Sequence, residues 1–541
     1  MKSGLTILFA ILVMVSAEHL LLPRPKLITT GNENLRVSRC ALTYAKTEDN
    51  EFQELIKIHE GDLLLSGKEC QNHGITSKSF VIFAQRTGPV TSEKCMDESY
   101  TIDVTLSEAR MTAKCPVGLI RAMVTLYQLS VFHEESKEIE IEGVPVHIED
   151  SPRFEHRGLM IDTARHFLKK ATIARILDGM MYAKLNVLHW HIIDDDSFPM
   201  QSQSFPGLAE SASFGPQFMY KVEDIKELVA YAATRGVRVI PEFDNPGHAR
   251  AVGLYAPLKD LVTCFNTVWP YNVPDVYRIR GGPSTGALDP SMAGTYEFVK
   301  GILKDAVSYF KDDMVHMGGD EVSEKCWDER PAIKEFMKQN GIVDFDGLMT
   351  YYYNRTKGIL ASVDPSKKPV FWLAEEQFKV KFPRGDILQY WGLSTNVKRA
   401  YDLFPFNKFI MSPHDYLYLD CGYENPFGGT AWCGDFKTWA RIYSFEPTNF
   451  DIPENKILGA EACAWSELNN NDNIETKLWP RMLPLAETLW EPKRTKEADL
   501  SSLMIRMTEF SARLNNMGIR TTAITGQYCE INAKECFQKW E

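Results

Sequence analysis

Two adjacent acids, Asp320 and Glu321, follow two glycines in the stretch VHMGGDEVS, residues 315–323. Side chains alternate between the two faces of a strand, so neighbouring carboxylates in a regular pleat would point in opposite directions. Gly318 and Gly319 lack a Cβ and permit a bulge or a positive φ, which would let both acids line one pocket at the end of a strand. The alternative interpretation is an exposed turn with two solvated acids. The predicted secondary structure around this stretch distinguishes between these two interpretations.

Eight short apolar segments are typical of strands that are buried on both faces. They span residues 158–164, 185–193, 237–244, 314–321, 369–375, 386–392, 416–420 and 457–465. Apolar residues recur with helical spacing between the early strands, in TIARILDGMMYA and VEDIKELVAYAATRG. This alternation predicts an α/β fold, a (β/α)8 TIM barrel catalytic domain over residues 151–541 with long insertions after its strands.

A separate region precedes the predicted barrel. Residues 18–150 carry alternating segments such as SFVIFAQ and SYTIDVTLS, and one helix candidate at residues 118–132. They predict a small N-terminal α+β domain with a few antiparallel strands and one or two helices. The charged and proline-containing stretch IEDSPRFEHRG marks the boundary between the two domains.

The first 17 residues predict the compartment. Lys2, an apolar run and the small residues VSA indicate a signal peptide that is cleaved after Ala17. The run is too short to span a membrane, and no later stretch is long enough. The sequence NRT at Asn354 is an N-glycosylation acceptor, which agrees with a lysosomal or secreted protein. The formal net charge of −12 argues against nucleic acid or an anionic membrane as a partner.

All eleven cysteines lie beyond the predicted signal peptide, and an odd number leaves at least one of them unpaired. Cys421 with Cys433, and Cys529 with Cys536, are close enough in sequence to form local disulfides. Cys463 lies in the apolar stretch GAEACAW and is expected to be a buried free thiol. Neither a CxxC nor an HExxH sequence is present, so we expect no metal and no cofactor.

Polar or aromatic side chains end nearly every predicted strand. In chain order they are Asp162 and Arg165, His191 and Asp194, Asp244 and His248, Asp320 and Glu321, Trp372 and Glu375, Trp391, Tyr418 and Asp420, and Trp465 and Glu467. A single cluster of this kind could equally be a salt bridge or a cap. In a barrel, however, all these positions converge on the C-terminal rim, where the active sites of this fold lie. Together they favour a shared pocket.

Acids combined with several tryptophans suggest a sugar site. The apolar C–H face of a pyranose stacks on indole, and its hydroxyls bond to carboxylates and arginine. Glycoside cleavage needs a carboxylic acid that protonates the departing oxygen, and Glu321 is the candidate. His248 and Asp194 could form a hydrogen-bonded chain that sets the proton affinity of this acid.

Five motifs in order resemble one known family. SPRFEHRGLMIDTARHF, NVLHWHIIDDDSFP, PEFDNPGH, HMGGDEV and GAEACAWSE are similar to the β-N-acetylhexosaminidases of glycoside hydrolase family 20, particularly the eukaryotic lysosomal and secreted type. The likeness extends from the N-terminal region to the C-terminus. It implies a small α/β domain followed by a barrel, as in the division above, and it suggests a homodimer.

The resemblance also implies substrate-assisted catalysis, an exception to the two-carboxylate scheme. The 2-acetamido oxygen of the substrate attacks the anomeric carbon, which gives an oxazolinium intermediate and retained configuration. By motif match Glu321 is the acid/base and Asp320 is the partner of the acetamido N–H. Asp194 and His248 match residues that support the acid, whereas His189, His191 and Asp195 are equally expected to support the site or only the fold.

The remaining roles implied by the resemblance concern substrate binding. Arg165 matches an arginine that holds the 3- and 4-hydroxyls of the terminal sugar, and Glu467 matches an acid that binds its outer hydroxyls. Tyr418 matches a tyrosine that bonds the acetamido carbonyl, and Asp420 another hydroxyl ligand. The rings that match the walls of the acetamido pocket and the sugar face are Trp372, Trp391 and Trp465.

Two positions depart from the family pattern. Asp196 stands where the family often has glutamine, which adds a charge near the rim. Cys421 follows Asp420 where subunits that accept sulfated sugars carry a basic residue, so neutral terminal sugars are expected. The implied function is exo-acting removal of terminal β-linked N-acetylglucosamine or N-acetylgalactosamine. A catalytically inactive sugar-binding protein on the same fold, or an endo-chitinase-like enzyme, are the alternatives.

Overall fold

The computed structural model describes residues 20–38, 41–44, 47, 49–61, 80–88, 95–133, 135–265, 286–422, 433–493, 500–532 and 536. The predicted signal peptide lies outside these residues. The chain divides into two compact units. The first contains the described residues up to Pro152 with those of Asp499–Phe510 and Thr525–Glu541, and the second contains Arg153–Ala498 and Ser511–Ile524. The sequence-based division had assigned every residue after 150 to the barrel, so the two C-terminal segments of the first unit differ from that prediction.

The first unit contains a sheet with helices packed against it. Its elements are β1 (Leu27–Ser38), β2 (Leu42–Tyr44), α1 (Asn50–His59), β3 (Phe80–Arg86), β4 (Tyr100–Val104), β5 (Glu108–Ala113), α2 (Pro116–Leu129), β6 (Val131–His133) and β7 (Glu138–Asp150). The strand order is β1-β7-β4-β5-β3-β2, with β6 paired to β7. The few antiparallel strands that the sequence predicts are present, since β7 pairs in this way with β1, β4 and β6, and β4 with β5. The prediction did not include the parallel pairing of β3 with both β2 and β5. Helix α2 buries most of its side chains, as its apolar sequence predicts.

The second unit is built on a closed barrel of parallel strands, which confirms the predicted fold class. These strands are β8 (His156–Asp162), β9 (Val187–Ile193), β10 (Arg238–Phe243), β13 (Met314–His316), β14 (Lys368–Leu373), β15 (Ile387–Tyr390), β16 (Lys408–Met411) and β17 (Ile457–Ala464). They pair in sequence order, and β17 closes the barrel against β8. A short antiparallel pair of strands, β11 (Val262–Thr263) and β12 (Ala287–Leu288), lies between β10 and β13 in the chain.

Helices follow the barrel strands and pack by their apolar faces. They are α3 (Lys170–Tyr182), α4 (Leu208–Ala212), α5 (Val222–Ala233), α6 (Ala293–Tyr309), α7 (Glu324–Asp328), α8 (Pro331–Gln339), α9 (Phe345–Val363), α10 (Val397–Leu403), α11 (His414–Leu417), α12 (Trp439–Tyr443), α13 (Ile474–Leu478) and α14 (Met482–Trp490). The C-terminal helices are α15 (Leu500–Asn516) and α16 (Gln527–Ile531). The predicted apolar stripe of α3 is buried, at Ile173, Ile176, Leu177 and Met180. None of the helices described is both long and apolar enough to span a membrane.

Two strand predictions need correction. The seventh barrel strand is β16, the segment KFIM, and not residues 416–420. The predicted segment instead contains the end of α11 and a single bridge from Tyr418 to Cys463. KFIM begins with a lysine and follows an asparagine, so its apolar run of three residues was too short to be recognised. YLYLD, in contrast, has the alternating pattern of a strand. The fourth strand ends at His316 rather than at Glu321, and the two glycines begin a loop.

The predicted cysteine states are confirmed among the described residues. Cys421 is bonded to Cys433 and Cys529 to Cys536, while Cys463 is a buried free thiol. Two longer links, Cys95 to Cys115 and Cys264 to Cys326, could not be inferred from spacing.

Candidate active site

The loop after β13 explains the two glycines before the acids. Gly318 and Gly319 both have positive φ, +61° and +101°, and Glu321 follows at +48°. A Cβ at Gly318 would clash with the carboxylate of Asp244, and one at Gly319 with the hydroxyl of Tyr353. The Gly319 N–H donates to Asp244 Oδ1 over 2.8 Å, and Tyr353 donates to the Gly319 carbonyl over 2.5 Å. This backbone is strained for any residue with a side chain, so glycine is required here.

The loop gives the two acids different surroundings. Asp320 is buried, and its Oδ1 has no hydrogen-bond partner among the described residues. Burial and the nearby Glu321 and Glu242 carboxylates raise the pKa of Asp320 to about 6, against the opposing charge of His248. The side chain of Glu321 is 20% exposed, and its Oε2 lies 3.5 Å from His248 Nε2. Its backbone N–H donates to Glu376 Oε1 over 3.1 Å. A buried carboxylate with a free oxygen and a more accessible one therefore lie side by side.

His248 connects Glu321 to Asp194. Its Nδ1 lies 3.2 Å from Asp194 Oδ1, and its own φ is +50°, directly after a turn that contains a cis peptide bond between Asn245 and Pro246. Burial disfavours the charged imidazole, but Asp194 and Glu321 outweigh it and raise the pKa of His248 well above its usual value. A cation beside Glu321 stabilises the carboxylate that remains after this acid gives up a proton.

Arg165 and His248 both contact the carboxylate of Asp194. The guanidinium lies 2.8 Å from Asp194 Oδ2 and 3.3 Å from Asp162 Oδ2, and it stacks over Trp465 at 5.0 Å from the ring centre. Burial alone would raise the pKa of Asp194, but Arg165 and His248 hold it well below its usual value. Asp194 is therefore ionised and orients both cations.

The predicted aromatic residues form one cluster. Trp372, Trp391, Tyr418 and Trp465 are buried together with Met160, Ala374, Cys463 and the disulfide between Cys421 and Cys433. The rings of Trp372 and Trp465 are 6.1 Å apart with a tilt of 40°. The disulfide thus packs against the aromatic walls, and it restrains the chain directly after Asp420.

Asp420 and Glu467 lie near each other at the rim. Burial and the charge of Glu467 raise the pKa of Asp420 well above its usual value. The pKa of Glu467 is raised as well, first by burial and then by Asp162, although Arg165 opposes the shift. Asp420 Oδ1 lacks a hydrogen-bond partner among the described residues, as Asp320 Oδ1 does. These oxygens are available to hydroxyl or N–H donors of a ligand.

Two carboxylates that the sequence interpretation did not select lie inside the barrel. Glu461 lies between His156 and His189, at 2.8 and 2.7 Å. Glu242 contacts His191 over 2.6 Å and His189 over 2.9 Å. The sequence did contain a signal for these contacts. A glutamate within a strand that is buried on both faces needs a partner, and the two histidines of HWH lie on one face of β9.

Several groups of side chains have the composition of a metal site, for example His189, Glu242 and His316. Both ring nitrogens of His189, however, face carboxylates. Burial disfavours its charge, but Glu461 and Glu242 raise the pKa of His189 to about 9. A protonated imidazole has no lone pair for a metal, so this group does not fit a metal ion.

The remaining predicted positions are at the surface or near the rim. Asn354 is exposed on α9, where its Nδ2 donates to the Thr350 carbonyl over 2.8 Å. Asp195 accepts the Arg250 N–H over 2.8 Å and so anchors the loop that carries His248. Asp196 lies 3.7 Å from Arg165, and its side chain is 44% exposed.

Comparison with known proteins identifies the family. The family model described as "Glycosyl hydrolase family 20, catalytic domain" matches residues 154–493. The chain belongs to glycosyl hydrolase family 20. The resemblance stated from its motifs is confirmed, and the chain is a β-N-acetylhexosaminidase-type glycoside hydrolase.

Relatives in this family cover most of the chain. The β-hexosaminidase subunit beta of Felis catus is 34% identical over 445 residues, 81% of this chain and 77% of the relative. Beta-hexosaminidase 1 of Coccidioides posadasii is 33% identical over 479 residues, 82% of this chain and 78% of the relative. Among solved structures, the family 20 β-N-acetylhexosaminidase of Streptomyces coelicolor is 25% identical with a TM-score of 0.74, covering 94% of this chain and 98% of that one.

Proposed function

We propose that this family 20 enzyme is an exo-acting, retaining glycosidase that removes terminal β-linked N-acetylglucosamine or N-acetylgalactosamine by substrate-assisted catalysis. The observation that carries the proposal is the pair Asp320 and Glu321. Two adjacent carboxylates leave one strand end on a glycine loop, one buried with a free oxygen and one accessible beside an imidazolium. One carboxylate can orient an acetamido group while the other handles the proton of the leaving group.

In the first step Glu321 donates its proton to the glycosidic oxygen as the bond from that oxygen to C1 breaks. The acetamido oxygen of the same sugar attacks C1 and forms the oxazolinium ring, so no carboxylate of the protein becomes covalently attached. Asp320 accepts the acetamido N–H and stabilises the positive charge that develops on the ring. In the second step Glu321 takes a proton from water, which attacks C1 from the side of the departed group. The bond from C1 to the acetamido oxygen breaks, which regenerates the acetamido group and restores the β configuration.

His248 and Asp194 support these steps. The imidazolium lies 3.5 Å from Glu321, where its charge stabilises the anion that proton donation leaves behind. Asp194 is the anion that keeps His248 charged and in place. The pair therefore orients Glu321 and places a positive charge beside it.

We assign the remaining rim residues to sugar binding. Arg165, Asp420 and Glu467 offer one cation and two carboxylates to the ring hydroxyls, which suits polar but uncharged groups. We assign Tyr418 to a hydrogen bond with the acetamido carbonyl. The indoles that would enclose the acetamido methyl and the sugar face are Trp372, Trp391 and Trp465.

The substrate is proposed to carry a neutral terminal sugar. Cys421 directly follows Asp420 and is consumed in the disulfide with Cys433, so it offers no charge to a sulfate or carboxylate. The described disulfides and the exposed acceptor Asn354 support an oxidising, lysosomal or secreted location. The homodimer suggested by the family resemblance stays a prediction.

The proposal is tested with the purified mature enzyme at mildly acidic pH, on a chromogenic β-N-acetylglucosaminide, the matching β-N-acetylgalactosaminide and the matching β-glucoside. We expect cleavage of the two acetamido sugars only, with the β-anomer as the first product by NMR, and loss of cleavage in Glu321→Gln. Comparable cleavage of the β-glucoside would contradict substrate assistance. Binding without cleavage would favour the inactive sugar-binding alternative.

A further inference from the structure

One buried carboxylate, Glu242, contacts both the aromatic wall and the supports of the acid. Trp372 donates its indole N–H to Glu242 Oε1 over 2.6 Å. On the other oxygen, Glu242 Oε2 lies 2.6 Å from His191 Nδ1 and 2.9 Å from His189 Nε2. All four side chains are fully buried, so these contacts are not exchanged for water.

The contacts continue from His191 to the acid. His191 Nε2 lies 2.8 Å from Asp194 Oδ2, and Asp194 holds His248, which lies beside Glu321. An unbroken series of alternating anions and cations therefore runs from Glu242 to Glu321. Because both ring nitrogens of His191 face carboxylates, His191 can satisfy both of them only when it is protonated.

Titratable or polar groups from several strands face Glu242. They are His189 and His191 on β9, His316 on β13, Trp372 on β14, Glu461 and Cys463 on β17, and Asp244 directly after its own strand, with Asp320 beyond it. Burial disfavours the charge of Glu242, but His191 above all holds its pKa well below the usual value. His316 accepts the Gly318 N–H at Nδ1, and burial lowers the pKa of His316, so this ring is neutral.

We propose that Glu242 is a positioning residue that couples the Trp372 wall of the sugar pocket to the His191–Asp194–His248 series supporting Glu321. Glu242 does not touch the sugar. It fixes the plane of Trp372 through one oxygen and the protonated form of His191 through the other. The inference rests on the proposed function, because it assumes that Glu321 is the acid and that Trp372 contacts the substrate.

The amide of glutamine cannot replace this carboxylate. Glu242 faces an N–H donor at each oxygen, whereas glutamine offers one acceptor and one donor. In Glu242→Gln the amide N–H2 must therefore face either Trp372 or His191, so Trp372 and a protonated His191 cannot both be satisfied, and the anion that keeps His189 and His191 protonated is lost. The pKa values of His189 and His191 should then fall, so the series loses its cation at lower pH.

The first experiment compares the full-length wild type, Glu242→Gln and a matched control, Glu475→Gln, on the chromogenic β-N-acetylglucosaminide. Glu475 is an equally buried carboxylate that binds Arg175 and the Arg520 backbone, neither of which belongs to the series. In Glu242→Gln we expect kcat to fall about tenfold or more and the alkaline limb of the kcat/KM profile to move about one pH unit toward acid. Glu475→Gln should lower the melting temperature but leave kcat, KM and the pH profile unchanged.

A Glu242→Gln enzyme that loses stability as the control does, yet keeps the wild-type kcat, KM and pH profile, would overturn the proposal. If the glutamine variant does not accumulate folded, Glu242→Asp replaces it, because it keeps the charge but is one methylene too short to reach Trp372 and His191 together. We expect folded Glu242→Asp to keep the wild-type pH limbs with a lower kcat, and wild-type kinetics in it would equally overturn the proposal.

The two proposals fail differently. If the wild type cleaves the β-glucoside as well as the acetamido sugar, the proposed function fails, whatever the Glu242 variants do. If the wild type discriminates as expected and the Glu242 variants are unaffected, only the positioning role fails.

Discussion

Carboxylates in two regions of the same barrel have opposite surroundings. Glu461 and Glu242 in the interior, and Asp194 directly after β9, each lie between cations or imidazoles, and these partners lower all three pKa values against the effect of burial. At the rim, Asp320, Asp420 and Glu467 face other acids or the aromatic walls. Burial and the nearby acids raise their pKa values.

This difference in pKa separates carboxylates whose oxygens are all bonded by the protein from carboxylates that keep an oxygen for a ligand. Glu461 and Glu242 have contacts at both oxygens, so they stabilise the fold and orient their neighbours. Asp320 and Asp420 each keep an oxygen without a hydrogen-bond partner in the described chain. Buried polar atoms of this kind are costly unless something binds them, and a sugar supplies the N–H and O–H donors.

The largest effect on activity is expected at the rim, for Glu321→Gln. The amide cannot donate an acidic proton to the glycosidic oxygen, so kcat/KM should fall about 10²- to 10⁴-fold on substrates with poor leaving groups. Steady-state rates on a disaccharide and on a nitrophenyl glycoside measure this. The nitrophenyl substrate serves as the control, since its leaving group needs less protonation and should lose less.

The next largest loss of activity is expected for Asp320→Asn. The neutral amide removes the charge that stabilises the oxazolinium ring, and we expect kcat to fall about 10²- to 10³-fold, the scale of one preorganised electrostatic contact. Comparison of kcat with the Kd of an acetamido-containing product distinguishes catalysis from binding. Equal losses in both would assign Asp320 to binding alone.

An interior carboxylate should affect stability instead. Glu461→Gln leaves the protonated His189 without one of its anions, and we expect a loss of about 3 kcal/mol or more in the free energy of unfolding, as for a broken buried ion pair. Denaturant unfolding at neutral pH measures this loss. Glu321→Gln is the rim control, and it should unfold close to the wild-type midpoint.

The same interior pair predicts a dependence of stability on pH. The pKa of His189 is raised to about 9 in the folded state, so its contribution is complete below its unfolded value of about 6.5 and is lost as pH rises toward 9. Wild-type stability should therefore fall by a few kcal/mol over this window. In Glu461→Gln the folded-state pKa of His189 is lower, so the fall should end at lower pH and be smaller. An unchanged curve would show that His189 does not contribute to this pH dependence.

The smallest effect is expected for Asp196→Asn. Partial burial and the charges of Asp194 and Asp195 raise the pKa of Asp196 to about 7, although Arg165 opposes the shift. Removal of this group should change kcat/KM by less than about threefold at acidic pH, where the aspartate is already protonated, and should flatten the profile near pH 7. A large loss at acidic pH would show that Asp196 has a direct part in binding.

The sequence predicted the barrel because strands buried on both faces are continuously apolar and the early helices are strongly amphipathic. It missed β16, since four residues are too few to show a pattern, and it extended the fourth strand through the glycines. The rim residues could be found from their positions after strands. The chain from Asp194 through His248 to Glu321 was also inferred, and the observed contacts agree with it. The contacts of Asp194 with Arg165 and His191 could not be inferred, because they depend on how the loops after β8 and β9 fold.

The interior residues were missed for a different physical reason. Glu242 and Glu461 lie within strands. A single charged residue there only interrupts the apolar pattern and does not indicate a site. Their partners His189, His191 and His156 come from other strands, and only the closed barrel brings them within hydrogen-bond distance.

The central claim is that the acetamido oxygen of the substrate, and no carboxylate of the protein, attacks C1. The most direct test measures kcat for nitrophenyl β-glucosaminides whose N-acetyl group carries zero, one, two or three fluorines. Each fluorine makes the carbonyl oxygen a weaker nucleophile, so the account predicts a steady fall in kcat along the series. A flat series would contradict it and would point to a protein nucleophile instead.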